Sequence, residues 1–125
     1  MTPEELLERA ERALAAAKRE LAAGDPEASA NRFYYAMFHA ARAALSSVGE
    51  PDTGRHGTII SRFGRRFCRD GPLSPELGRA FNKVQELRIG GDYGDGSPGN
   101  AEVAAYMYSA EQFVAAVKKI VAAGG

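Results

Sequence analysis

Apolar residues in this chain recur at intervals of three and four, and no stretch alternates residue by residue. That pattern restricts the chain to helices. The clearest case is the stretch around residues 32–42. Phe33, Tyr34, Met37, Phe38, Ala41 and Leu45 fall on one face of a helix. Arg32, Tyr35, His39, Arg42 and Ser46 fall on another, at i, i+3, i+7, i+10 and i+14. One side of this helix needs a core, and the other carries an arginine–tyrosine–histidine row.

Caps and breakers place five helices. Thr2-Pro3-Glu4-Glu5 reads as a capping box with proline in the first turn. The stripe behind it is Leu6, Leu7, Ala10, Leu14, Ala17 and Leu21, and Gly24 stops it. Asp25-Pro26 starts the second helix, which runs to about Ser47 as an antiparallel neighbour of the first. The third is expected over 55–69, with Ile59, Ile60, Phe63 and Phe67 inward and Gly71-Pro72 ending it. Ser74-Pro75 opens the fourth, which Gly90-Gly91 halts just after Arg88. Residues 90–100, rich in glycine, read as a loop, and Asn100 as the cap of the fifth helix. The apolar face of that last helix is wide enough for two neighbours. The expected fold is all-α, one domain over 1–125: an antiparallel up-down bundle of four longer helices and one short one.

Length and charge limit function. A chain of 125 residues supports a single core. A formal net charge of zero argues against non-specific coating of nucleic acid, which needs surplus cations, but leaves room for a local basic patch. The lone Cys68 provides no intrachain disulfide and reads as a small packing residue. A charged, amphipathic start and the lack of a long apolar run point to the cytoplasm and away from membranes. No metal or cofactor signature is present, so neither is expected.

Several groups offer chemistry. Arg62, Arg65, Arg66 and Arg69 stand at i, i+3, i+4 and i+7, opposite Phe63 and Phe67, with no acid between them. Such a stripe suits phosphates or an acidic partner. Arg88 ends the fourth helix, where a cation complements the helix dipole, with Asp92 and Tyr93 just beyond. His56 opens the third helix, where it can meet an anion. His39 reads as a half-buried, hydrogen-bonded helical histidine.

Three blocks closely resemble the HEPN family of small helical domains. They are Tyr34-Tyr35-Ala36-Met37-Phe38-His39-Ala40-Ala41, Gly54-Arg55-His56-Gly57, and Arg88-Ile89-Gly90-Gly91-Asp92-Tyr93. Many members carry Arg-x-x-Ala-Asp-Tyr at the last block. The resemblance implies a helical bundle and a site at Arg88. In HEPN ribonucleases, an arginine followed four to six residues later by histidine meets its copy across a homodimer and cleaves RNA without metal. Here Tyr93 stands five places after Arg88, and residues 89–98 hold no histidine. Tyrosine, with a pKa near 10, is a poor base at neutral pH. For His39 or His56 to replace the missing histidine, one of them would have to reach Arg88 across a dimer.

The resemblance thus implies two functions. The first is the helical partner of a minimal nucleotidyltransferase in a toxin–antitoxin-type two-gene system. Such a protein would be homodimeric through helices two and four and would bind a nucleotide or RNA through Arg62, Arg65, Arg66, Arg69, Arg88, Asp92 and His56. Tyr93 is then a candidate acceptor of AMP from that partner. The alternative is a metal-independent endoribonuclease, with Arg88 holding the phosphate and Tyr93 as its catalytic companion.

Overall fold

Thr2 opens the first helix by accepting a hydrogen bond from the Glu5 amide at 3.1 Å, while the Glu5 carboxylate accepts from the Thr2 amide at 3.0 Å. This reciprocal capping box starts α1, Pro3–Ala22. Gly24 follows at φ +84°, a left-handed turn that favours glycine. Asp25 then caps α2, Pro26–Ser47, through the Ala28 amide. Next come α3, His56–Phe63, a π-helical turn at Gly64–Arg69, α4, Pro75–Tyr93, and α5, Asn100–Ala122. The computed structural model describes residues 1–69, 71–93 and 98–124, except for the side chains of 89–93. The result is the all-α up-down bundle of four long helices and a short one that the sequence implies, with no strand among the described residues.

The second helix is the axis of the bundle. It packs against α1, α3, α4 and α5. Ala30, Ala36, Ala40, Ala41, Ala43 and Ala44 are fully buried and let these neighbours approach closely. The apolar surface of this helix is thus largely taken up within the chain. Below it, Phe63 meets Phe113 at 4.8 Å between ring centres, and Phe81 meets Phe113 at 5.2 Å. Each of these rings contributes on the order of 2–3 kcal/mol by leaving water. Buried Ser29 donates to the Ala17 carbonyl at 2.7 Å and ties α2 to α1. Lys18–Glu111 and Lys118–Glu11 link α1 to α5 on the surface. No helix among the described residues is long and apolar enough to cross a membrane.

Three local expectations are corrected. The third helix is not continuous to Arg69, because the chain loosens into the π turn at Gly64, where glycine costs helix stability. Gly90-Gly91 does not halt the fourth helix, which continues to Tyr93. Glycine lowers helix stability by about 1 kcal/mol per residue but, unlike proline, keeps its N–H for the helix ladder. The cap of α5 is Gly99 rather than Asn100, which already lies inside the first turn. Of the expected loop, residues 94–97 lie outside the described residues.

Candidate functional site

The aromatic helix, the start of α3 and the middle of α4 converge on one box. Tyr34 is wholly buried, so its hydroxyl must find a partner in the protein. That partner is Nδ1 of His56, 2.6 Å away. Burial, reinforced by Tyr35 and opposed by Arg88, pushes the Tyr34 phenol up to about 12, so it stays protonated and donates at neutral pH. A buried hydroxyl proton needs an acceptor, and with Nδ1 of His56 in that role the ring proton sits on Nε2. Phe38 stacks on the His56 ring at 4.1 Å. Burial and the nearby Arg88 and Arg42 cations hold His56 below the usual histidine range.

Arg88 completes the box. Its guanidinium lies 4.6 Å from the centre of the Tyr34 ring and 5.8 Å from that of Tyr35. Contacts of this kind contribute roughly 0.5–2 kcal/mol. Stacking engages the face of a guanidinium, whereas a phosphate is recognised along its edge, so the two are compatible. Since α4 continues to Tyr93, Arg88 sits inside the helix and is not a terminal cation. Asp92 and Tyr93 occupy the last turn of α4, and their side chains lie outside the described residues.

The opposite wall is set by Arg42. Its Nε donates to Asp52 at 2.9 Å, and Nη2 reaches the same oxygen. The Asp52 carboxyl, held below its usual range chiefly by this bond, also accepts from the Gly54 amide at 3.2 Å. Arg42 thereby anchors the loop that delivers His56. Its Nη1 makes a long 3.5 Å contact to Nδ1 of His39. Burial, with Arg42 and Arg9 beside it, brings the His39 pKa down to about 4.

The remaining predicted residues divide. His56 stands at the start of α3, as the sequence implies. It is packed and bonded into the aromatic box, in the same chain as Arg88, so no dimer is needed to bring the two together. Arg62, Arg65 and Arg66 line one groove, but Glu50 lies in it, 3.9 Å from Arg66. The stripe therefore has an acid beside it, contributed by another segment. Arg69 does not line that groove, because the π turn changes the angular spacing after Gly64. Cys68 is buried, and burial raises its thiol.

The sequence did not point to Tyr34 as the link between Arg88 and His56, nor to Arg9 and Arg12. These two arginines of α1 line a groove with Arg32, Tyr35 and His39 of α2. The arginine–tyrosine–histidine row announced the α2 half. Nothing in the sequence sets the rotation of α1 that brings its arginines opposite.

The HEPN domain family model matches residues 3–120. The chain belongs to the HEPN domain family. It is 41% identical to a UPF0332 protein of Gloeobacter violaceus over 75% of each chain. A UPF0332 protein of Thermotoga maritima is 34% identical over 73% of this chain and 69% of its own. A protein of Methanocaldococcus jannaschii named Putative toxin MJ0605 is 35% identical over 70% of this chain and 65% of its own. The fold is also that of TT1696 from Thermus thermophilus, with a TM-score of 0.80 over 94% of this chain and 97% of that one, at 19% identity. In this HEPN domain the arginine of the last motif block is thus joined to a histidine from the Gly-Arg-His-Gly block, through a tyrosine of the aromatic helix.

Proposed function

We propose that this HEPN domain is the helical partner of a minimal nucleotidyltransferase in a toxin–antitoxin-type pair. In this reading it acts as a cytoplasmic homodimer and binds the phosphate of RNA or a nucleotide at Arg88. The observation that carries the binding reading is the Arg88 guanidinium at 4.6 Å over the Tyr34 ring, with His56 in the same box. The guanidinium supplies charge and forked donors. Neutral His56, with its proton on Nε2, supplies a further donor suited to a phosphate oxygen. The toxin name carried by the Methanocaldococcus jannaschii relative supports the pairing. Arg62, Arg65 and Arg66 form an accessory basic groove, weakened at Arg66 by Glu50, with Arg69 outside it. Asp92 and Tyr93 follow Arg88 in sequence, and Tyr93 is the proposed acceptor of AMP from ATP, with release of pyrophosphate.

A second reading, a metal-independent endoribonuclease, draws on His56 standing beside Arg88 in one chain. A base needs a free lone pair, however, and the Nδ1 lone pair of His56 is taken by the Tyr34 hydroxyl. This favours binding over cleavage.

The test is fluorescence anisotropy with a labelled single-stranded oligouridylate, beside the same RNA incubated in EDTA and resolved on a gel. Binding without cleavage, weakened at least tenfold in Arg88→Gln, is the expected result. Cleavage lost in both His56→Gln and Arg88→Gln would move the assignment to a nuclease. Light scattering reports the dimer. Intact mass after incubation with ATP and a minimal nucleotidyltransferase reports Tyr93 modification, which Tyr93→Phe should abolish.

A further inference from the structure

The groove between α1 and α2 gathers cations with no acid in its lining. Arg9, Arg12 and Arg32 are all exposed and line it together with Tyr35 and His39. Its volume is about 330 Å³, and no carboxylate lines it. None of the three arginines forms a salt bridge among the described residues. Two acids of α1 have partners outside the groove, Glu11 with Lys118 and Glu5 in the capping box, although Arg9 also acts on Glu5 through space. In a chain of zero net charge, three arginines from two helices therefore make a local cationic surface.

This groove shares a wall with the Arg88 box. Tyr35 lines the groove, yet its ring centre lies 5.8 Å from the Arg88 guanidinium and 5.9 Å from the His56 ring. It is half-buried and borders both neighbourhoods. A ring between two cationic sites is the arrangement expected along a single-strand track, where phosphates meet arginines and a base meets an aromatic face.

We infer that the groove lined by Arg9, Arg12, Arg32, Tyr35 and His39 is a second phosphate subsite, which carries single-stranded RNA onward from the Arg88 box. This rests on the reading of Arg88 as a phosphate-binding residue. The Arg88 box holds one end of the strand, and the α1–α2 groove holds the phosphates that follow. Ala13 and Ala16, small residues on the wall of the groove, leave room for the backbone. Affinity should therefore depend on strand length.

The test compares a labelled oligouridylate of about ten nucleotides, within the range one such domain covers, with labelled uridine 5′-monophosphate. Both are titrated against the wild type, R9Q/R12Q/R32Q, R88Q, and the charge-matched control R79Q/K83Q/K119Q, none of whose positions lines the groove. The groove variant should bind the long strand at least tenfold more weakly and the mononucleotide unchanged. Its dependence of log affinity on log salt should flatten by about 2, at about 0.7 per phosphate released. Equal losses in the groove and control variants would mean diffuse attraction and overturn the subsite. Loss in R88Q alone would also overturn it while leaving the Arg88 reading intact. Loss in the groove variant alone would uphold the groove and remove Arg88. A wild type that binds no RNA overturns both. Circular dichroism checks folding, and if the triple variant melts early, the single R12Q and R32Q variants serve, each with a smaller loss in the same direction.

Discussion

The guanidinium of Arg88 rests 4.6 Å above the ring of Tyr34, whose hydroxyl in turn is bonded to His56. The cation, phenol and imidazole form one electrical unit built from α4, α2 and the start of α3. A change at any member should be read at the other two.

Arg88→Gln removes one of the cations that disfavour imidazolium, so the His56 pKa should rise. Arg42 remains, which makes the rise partial. Titration of the two histidine Cε1 protons by NMR checks this, and a His56 midpoint that does not move would separate Arg88 from the box.

Acid should weaken the fold before the carboxylates titrate. His39 has a pKa of about 4 in the folded chain against 6.5 when free. Its folded value is depressed, so its contribution is complete above pH 6.5 and is lost as pH falls from 6.5 toward 4, where only the unfolded chain takes up the proton. The slope is at most about 1.4 kcal/mol per pH unit and is reduced by solvent screening at this half-buried ring. His56, also depressed, adds to the same window. Urea melts at several pH values should show the decline, and His39→Gln should flatten most of it.

Two glycines should respond with opposite signs. A Cβ on Gly71 would lie 2.2 Å from the Arg66 carbonyl oxygen and 2.8 Å from the Phe67 Cα, backbone atoms of the π turn. Gly71→Ala should destabilise by about 1–3 kcal/mol. A Cβ on Gly57, inside α3, meets nothing within 4 Å. Gly57→Ala should stabilise by about 0.5–1 kcal/mol. Thermal denaturation of the pair checks both.

Phe113→Ala should cost about 3–5 kcal/mol, because the ring is fully buried between Phe63 and Phe81. Chemical denaturation measures it, and a loss below about 1 kcal/mol would mean that the core collapses around the gap.

The helices and their inward faces follow from local sequence. Thr2, Asp25 and Pro75 start helices because caps and prolines act on their own backbone, and Phe33, Met37 and Leu45 point inward because helical spacing is local. The sequence also marked Arg88, His56 and the row of Arg32, Tyr35 and His39 as notable. Tertiary structure decided what they touch. The π turn after Gly64 breaks the arginine stripe, and α4 runs on through Gly90-Gly91, where local propensity alone would end it. Neither the meeting of Arg88 with Tyr34 and His56 nor that of Arg9 and Arg12 with Arg32 has a local signal. Each depends on how one helix is rotated against another, and that rotation is fixed by the fit of buried side chains across the whole core.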